Sequence, residues 1–494
     1  MTPEEFSTVL LVASGVLLLA VLAVRLSVRT GLPSLLLYLG LGLLLGQDGL
    51  GVGFDDAQVV QTLGYAALVL ILAEGGLTTR WQTIRPAFGP AAVLATLGTV
   101  VSIAVTGYAA HWLLGVDWVV AMLIGAVVSS TDAAAVFSVL RQVPLPRRLA
   151  GMLEAESGLN DAPVVIAVLA LTEVAAGESS HPWWFYALEA VAELAGGTVV
   201  GVGVGFAGVF LLRRSALPSS GLYPVAVLAL AVGAFAVADV AHASGFIATY
   251  LCGLVLGNAR LPHRQATRGF AEAFGWLAQI GLFVMLGLLA DPSRLPAALG
   301  DALLVGLALT LLARPLSVLL SLTPFRLPGR DLAFLSWAGL RGAVPVVLAT
   351  VPVVAGVPNS QRLFDVVLVL VVVFTLVQAP VLPWLARRLG LALDETRDLD
   401  VEVSPLGTLS ADVLRVRVVP GSRLAGVEIF ELRLPRGSNV TLVARDGGTF
   451  VPQQRTVLRA ADEILVVTAA SERARVEERL QQISRHGKLA GWRR

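Results

Sequence analysis

Gly151-Met-Leu-Glu-Ala-Glu-Ser-Gly-Leu-Asn-Asp-Ala-Pro-Val-Val-Ile166 decides how this chain is read. It opens a hydrophobic run long enough to cross a membrane, yet it carries Glu154, Glu156, Ser157, Asn160 and Asp161. A carboxylate in hydrocarbon is expensive, so an ionisable residue inside a span marks a candidate functional site. Helical spacing sorts these residues into faces. Glu154, Ser157 and Asp161 fall at i, i+3 and i+7 on one face, and Glu156 and Asn160 at i and i+4 on a neighbouring one. Ser157 and Asp161 are therefore placed to share one small ligand, while Glu156 and Asn160 hold its surroundings.

The rest of the chain fits a membrane setting. Of 494 residues 56% are hydrophobic and 14% charged, with a mean hydropathy of +0.79, which describes a polytopic membrane protein rather than a soluble enzyme. No enzymatic activity and no cofactor are expected. A net charge of +1 carries no nucleic-acid signal. Cys252 is the sole cysteine, so no intrachain disulfide can form. The first apolar run, from about Phe6 to Val24, follows Glu4 and Glu5 and lacks a basic leader, so it reads as a retained span.

A spanning helix needs roughly 20 apolar residues, and about thirteen candidates lie between Phe6 and Leu389. The second (32–46) and ninth (244–258) are short. The loops alternate in charge. Arg25, Arg29, Arg80, Arg85, Arg141, Arg147, Arg148, Arg213, Arg214, Arg260, Arg264, Arg268, Arg326 and Arg330 follow odd-numbered spans, whereas Asp48, Asp55, Asp56, Asp117, Glu178 and Asp291 occupy the other loops, with Arg294 and Arg362 as their only arginines. Positive-inside then predicts a plasma-membrane protein with its N-terminus outside and its C-terminus in the cytoplasm, which requires an odd number of spans.

Composition changes after Arg387 and Arg388. The predicted organisation is a membrane domain over 1–390, a charged linker over 391–402, a small cytoplasmic α/β domain over 403–486 and a tail over 487–494. Within the small domain, 413–419, 439–445 and 463–468 alternate as strands do, Pro420-Gly421 and Asp446-Gly-Gly448 mark turns, and Ser471 to Leu480 reads as a capped helix. About 80 residues fold alone only marginally, which favours dimerisation.

Two further stretches carry chemistry. Ser129-Ser-Thr-Asp-Ala-Ala-Ala135, in the middle of span five, is a poor continuous helix, because its side chains offer local hydrogen bonds that compete with the helical ladder. Irregular backbone at that depth lines a cavity or is buried in protein. Its carbonyls and the Asp132 carboxylate are hard oxygen ligands suited to alkali cations. In span twelve, Trp337-Ala-Gly-Leu-Arg-Gly-Ala-Val-Pro345 is weakened by Gly339, Gly342 and Pro345, and it places Arg341 in the membrane with no acid nearby in its own span. A buried guanidinium needs a partner, and Glu156 is the expected one. Glu189, Glu193, Asp239 and His242 read as helix-packing polar residues, and Arg314 has no assigned role. Spans five and twelve are offset by seven and enter the membrane in opposite senses. Paired broken helices of this kind predict an inverted-repeat transporter with its site at the midplane.

Together, Glu-Ser-Gly-Leu-Asn-Asp-Ala at 156–162, Ser-Ser-Thr-Asp at 129–132 and Gly-Leu-Arg-Gly-Ala at 339–343 resemble the NhaP-like, electroneutral branch of the monovalent cation:proton antiporters. The likeness implies that Asp161 is the shared cation and proton carboxylate. It implies that Asn160, Thr131, Asp132 and Ser157 complete the cation site, with the monovalent cation at Asp161 and Asp132. It further implies that Glu156 and Arg341 form a structural ion pair and that Glu74, in Leu72-Ala-Glu-Gly-Gly-Leu77, is an additional acid near the site. The C-terminal domain is similar to the C-terminal half of regulators of potassium conductance, without the nucleotide-binding half. That likeness implies a homodimeric sensor of a small ligand such as a cyclic dinucleotide.

The expected activity is exchange of a monovalent cation for a proton by alternating access, regulated by the cytoplasmic domain. Burial favours the neutral, protonated form of Asp161, and a cation with oxygen ligands favours the ionised form, so one site holds either ion but not both. The potassium-regulator-like tail favours K+, with Na+/H+ exchange as the alternative. A tail-gated cation channel is disfavoured, because the sequence has no carbonyl-filter loop. The implied partners are K+ or Na+, H+ and membrane lipid.

Overall fold

The computed structural model describes residues 3–30, 33–46, 49–51, 56–140, 143–178, 181–392, 399–405, 411–419, 421–469 and 471–488. The chain divides into two compact units, 1–393 and 394–494.

The larger unit is all helical and contains the thirteen expected passages. Among the described residues nine helices are long and apolar enough to cross a membrane, and four shorter apolar helices account for the rest. In chain order they are α1 (Pro3–Thr30), α2 (Ser34–Leu45), α3 (Ala57–Thr78), α4 (Trp81–Leu114), α5a (Trp118–Val127) with α5b (Ala133–Val139), and α6 (Arg147–Ala176). Then come α7 (Trp183–Arg214), α8 (Leu222–Val240), α9 (Gly245–Asn258), α10 (Arg264–Leu289), α11 (Leu295–Phe325), α12a (Gly329–Trp337) with α12b (Ala343–Val354), and α13 (Ser360–Arg388).

An inverted repeat is visible as irregularities recurring at an offset of seven passages. The short helices are α2 and α9. The helices with a π-helical turn are α4, at Leu94–Gly98, and α11, at Leu309–Ala313. The interrupted ones are α5 and α12. Seven is odd, so each pair crosses in opposite senses, as an inverted-topology repeat requires. The packing repeats too: α2 lies on α10 as α9 lies on α3. Both contacts are glycine on glycine. A Cβ at Gly42 would sit 2.8 Å from Gly287 Cα, and one at Gly76 would sit 3.1 Å from Gly253 Cα. Small residues let membrane helices approach this closely.

Two bundles result. One packs α4, α5, α6, α11, α12 and α13 together, and the other packs α1, α2, α3, α8, α9 and α10, with α7 on α8 and α9. Polar contacts tie the loops to neighbouring helices. The α3–α4 turn is tied to the end of α9, where Asn258 Nδ2 donates to Thr79 O at 2.9 Å and Trp81 N donates to Asn258 Oδ1 at 2.8 Å. At the other face Arg362, in the first turn of α13, donates to Asp301 in α11 at 2.6 and 2.9 Å.

The smaller unit is one antiparallel sheet of β1 (Leu399–Pro405), β2 (Ala411–Val418), β3 (Asn439–Arg445), β4 (Gly448–Phe450) and β5 (Glu463–Ala469), in the order β1-β2-β5-β3-β4. Helix α14 (Arg473–His486) buries Val476, Leu480 and Ile483 in one core with Leu414, Val416, Ile464 and Val466. β2, β3 and β5 lie where the alternation predicts. Two expectations change. The linker ends earlier, because β1 begins at Leu399 and pairs with β2. Helix α14 starts at Arg473 without a side-chain cap from Ser471 and extends to His486. Residues 393–398 of the linker, Pro420 of the predicted turn, 489–494 of the tail, and Asp48, Asp55 and Arg141 of the loops lie outside the described residues.

Candidate ion-binding site

The two interruptions meet. The backbone N–H of Asp132 donates to Leu340 O at 2.8 Å, bridging the irregular segments of α5 and α12. The Asp132 side chain caps α5b, with Oδ1 accepting from Ala134 N at 2.9 Å and Ala135 N at 3.2 Å. This is the N-cap role that Asp performs well, and it explains how a helix can restart inside a membrane. Its other oxygen lies against Gly342, where an added Cβ would be 2.0 Å from Oδ2. Gly342 therefore lets the crossing close.

Helix α6 runs beside this crossing and presents the sequence-predicted residues to it. Ser157 Oγ accepts from Ala133 N at 3.1 Å. Asn160 Nδ2 donates to Thr131 Oγ1 at 2.7 Å, and among the described residues the buried Asn160 Oδ1 has no hydrogen-bond partner. Asp161 Oδ1 accepts from Ser130 Oγ at 2.6 Å. Pro163 interrupts the α6 ladder two residues later, so the carbonyl of Leu159 lacks its usual helical donor. Asp161 and Asn160 are 7% and 1% exposed. Five sequence-predicted residues, Thr131, Asp132, Ser157, Asn160 and Asp161, thus converge around one crossing and offer oxygen atoms suited to an alkali cation. Ser130, which sequence reasoning did not single out, is the residue bonded to Asp161. Ser129, its neighbour, bonds elsewhere, to Gly125 O at 2.6 Å and Ser102 Oγ at 3.1 Å.

The expected Glu156–Arg341 pair is corrected. Glu156 is gripped bidentately by Arg314, from Nη1 to Oε1 at 2.5 Å and from Nη2 to Oε2 at 2.9 Å. Arg314 also donates from Nε to Leu335 O at 3.3 Å. The cause is geometric. The π-helical turn at Leu309–Ala313 ends at Arg314 and aims it at α6, whereas Arg341 sits in the α12 interruption and donates from Nη1 to Gly339 O at 2.8 Å. Arg341 is 4% exposed, so it does not reach the membrane surface. The two guanidinium groups flank Gly339, where a Cβ would meet Arg314 Nε at 2.8 Å and Arg341 Nη1 at 3.1 Å.

Glu74 stands apart from the Asp161 cluster. It lines a cavity of about 310 Å³ together with Glu272 of α10 and with Ala134, Ala135 and Ser138 of α5b. It therefore adjoins the helix that Asp132 caps without touching Asp161.

The model of the sodium/hydrogen exchanger transmembrane family matches residues 15–388. The chain belongs to that family. A TrkA-C domain model matches residues 413–481 of this exchanger, which takes in most of β2, all of β3 to β5 and the first turns of α14, and leaves β1 outside. Over 471 residues it is 38% identical to the K(+)/H(+) antiporter NhaP of Alkalimonas amylolytica, covering 94% of this chain and 82% of that protein. It is 34% identical over 475 residues to K(+)/H(+) antiporter NhaP2 of Shewanella baltica, with the same coverage of 94% and 82%. A more distant relative, the Na(+)/H(+) antiporter NhaS2 of Synechocystis, is 28% identical over 359 residues, 70% of this chain and 64% of that protein. In fold, the exchanger superposes on the sodium proton antiporter MjNhaP1 of Methanocaldococcus jannaschii with a TM-score of 0.68 at 22% identity, covering 78% of this chain and 99% of that one.

Proposed function

We propose that this membrane exchanger moves K+ against H+ by alternating access at Asp161, one cation for one proton. The observation that carries this reading is the ligand set at the α5–α12 crossing, where Asp161, Asp132, Thr131, Ser157 and the unpartnered Asn160 Oδ1 converge. The charge count around it supports the stoichiometry. Arg314 and Arg341 supply two positive charges, and Glu156, Asp132 and Asp161 supply three negative ones. One monovalent cation or one proton neutralises the remainder, so either loaded form carries the same charge.

The bundle holding the crossing would rock against the other, and the glycine-lined α2–α10 and α3–α9 contacts would keep that second bundle rigid. The second bundle would also carry the homodimer contact, since α1 is apolar and largely unburied. The alternating loop charges orient the N-terminus outside and the C-terminus in the cytoplasm of a plasma-membrane protein. The β-sheet domain acts there as a regulator responding to a small ligand such as a cyclic dinucleotide. No enzymatic step and no resident cofactor enter this scheme. K+ is favoured over Na+ because relatives matched over 94% of this chain and 82% of their own length are K(+)/H(+) antiporters, whereas the Na(+)/H(+) antiporter NhaS2 is matched over 70% of this chain.

The test is proton flux in proteoliposomes carrying a pH-sensitive dye, with K+ or Na+ added, for the full chain and for a chain ending at residue 393. A K+-selective response altered by removing the tail is expected. A Na+-only response indifferent to the tail contradicts the choice of ion and the regulatory role.

A further inference from the structure

A large cavity of the membrane unit lies away from the crossing. It is a groove of about 1180 Å³ between α4 and α6 on one side and α7 and α9 on the other. Its walls are almost wholly apolar, and among the described residues that line it Arg213 alone is charged. Arg213 lies in the last turn of α7, Trp81 in the first turn of α4, and both mark the same end. That end carries the basic loops. Neighbouring Arg214 is occupied, its guanidinium 4.1 Å from the centre of the Phe210 ring. Among the described residues Arg213 has no such contact, and it is exposed.

The groove opens where lipid must be. Val199 and Phe206 on its rim are 72% and 64% exposed in a helix that crosses the membrane. It is long enough to take the full acyl chain of one leaflet. Arg213 and Leu194 both line it and lie ~28 Å apart along α7 at 1.5 Å per residue. A leaflet with its headgroups is roughly 20 Å thick. Its back wall includes Leu159 and Pro163, which bracket Asn160 and Asp161 on α6.

We propose that an anionic phospholipid seats one acyl chain in this groove with its phosphate on Arg213. An apolar trough ending in a lone exposed guanidinium, beside an interfacial tryptophan, matches the two ends of such a lipid. The bound chain touches both bundles at once, directly behind the ion-binding helix.

Trp81 is a built-in reporter. The full-length protein in detergent micelles is titrated with phosphatidylglycerol carrying brominated chains, and tryptophan quenching is read against a Trp81→Phe variant. The expected result is saturable quenching that Trp81→Phe lacks, at least fivefold weaker for Arg213→Gln and unchanged for Arg214→Gln. Unlabelled phosphatidylglycerol should compete, and phosphatidylcholine should compete poorly. Quenching in Arg213→Gln equal to wild type, or equal competition by phosphatidylcholine, overturns the proposal. Quenching that emerges only after a dimer is dissociated places a second copy in the groove and overturns it as well.

Discussion

Separating Glu156 from Arg314 should destabilise the membrane unit more than any other single change at a charged residue. Both side chains are at most 6% exposed and are joined by two hydrogen bonds. Opposite charges about 4 Å apart attract by about 4 kcal/mol at an effective dielectric constant of ~20. Removing one partner from a buried pair costs about 3–5 kcal/mol, because the other charge is left uncompensated. For a unit of this size each kcal/mol moves the melting temperature by about 1–2 °C, so Arg314→Met should lower it by about 3–10 °C. The assay is thermal unfolding of detergent-solubilised protein followed by size-exclusion fluorescence. The double change Glu156→Leu with Arg314→Met should recover much of the loss, giving a coupling of about 2 kcal/mol or more. Glu156→Leu with Arg341→Met should recover little. Stronger coupling of Glu156 to Arg341 than to Arg314 would refute the pairing and restore the expectation drawn from the sequence.

Three further outcomes follow from the site and the tail. Ser130→Ala removes a hydrogen bond to a charged acceptor, worth about 1.5–3 kcal/mol, and should weaken cation binding by about tenfold or more in calorimetry; Ser129→Ala should not. Gly342→Ala places a methyl group 2.0 Å from Asp132 Oδ2. It should destabilise the fold by about 1–3 kcal/mol and slow exchange in proteoliposomes. In the tail domain burial pushes the Asp462 carboxyl up, but hydrogen bonds from Arg445 and the Arg459 N–H outweigh it and hold the group below the ordinary range. A depressed folded value means stability that is present above the unfolded value near pH 4 and lost as the pH falls through the folded one. Acid unfolding of the full chain, followed by circular dichroism of the sheet, should therefore shift to higher pH in Arg445→Met.

Much of this architecture is legible from hydropathy, because hydrocarbon thickness fixes span length. The thirteen passages follow from it, and so do the breaks at Ser129–Asp132 and Gly339–Gly342, where small polar or flexible residues interrupt apolar runs. The helical period puts Ser157 and Asp161 on one face, and the regular α6 carries both to the α5 interruption; Asn160, which the period sets beside Glu156, reaches Thr131 there as well. It could not say which serine reaches Asp161, because the backbone between α5a and α5b has no period to count. The partner of Glu156 was missed for a related reason. Arg341 stands inside a recognisable motif, but aim is set by tertiary packing, and the π-helical turn that directs Arg314 leaves no mark in hydropathy. Strand β1 was overlooked although Leu399-Asp-Val-Glu-Val403 alternates as a strand should; its charges made it read as linker. The repeat is legible in hydropathy rather than in residue identity, since packing constrains only residue size at positions such as Gly42, Gly76, Gly253 and Gly287.

On the proposed mechanism one carboxylate holds either a proton or a cation. Proton release on cation binding tests it most directly, measured with a pH electrode on purified protein in weakly buffered detergent solution as K+ or Na+ is added. One proton released per cation bound is expected, with none from Asp161→Asn of unchanged melting temperature. Cation binding without proton release, or undiminished release from Asp161→Asn, would contradict it.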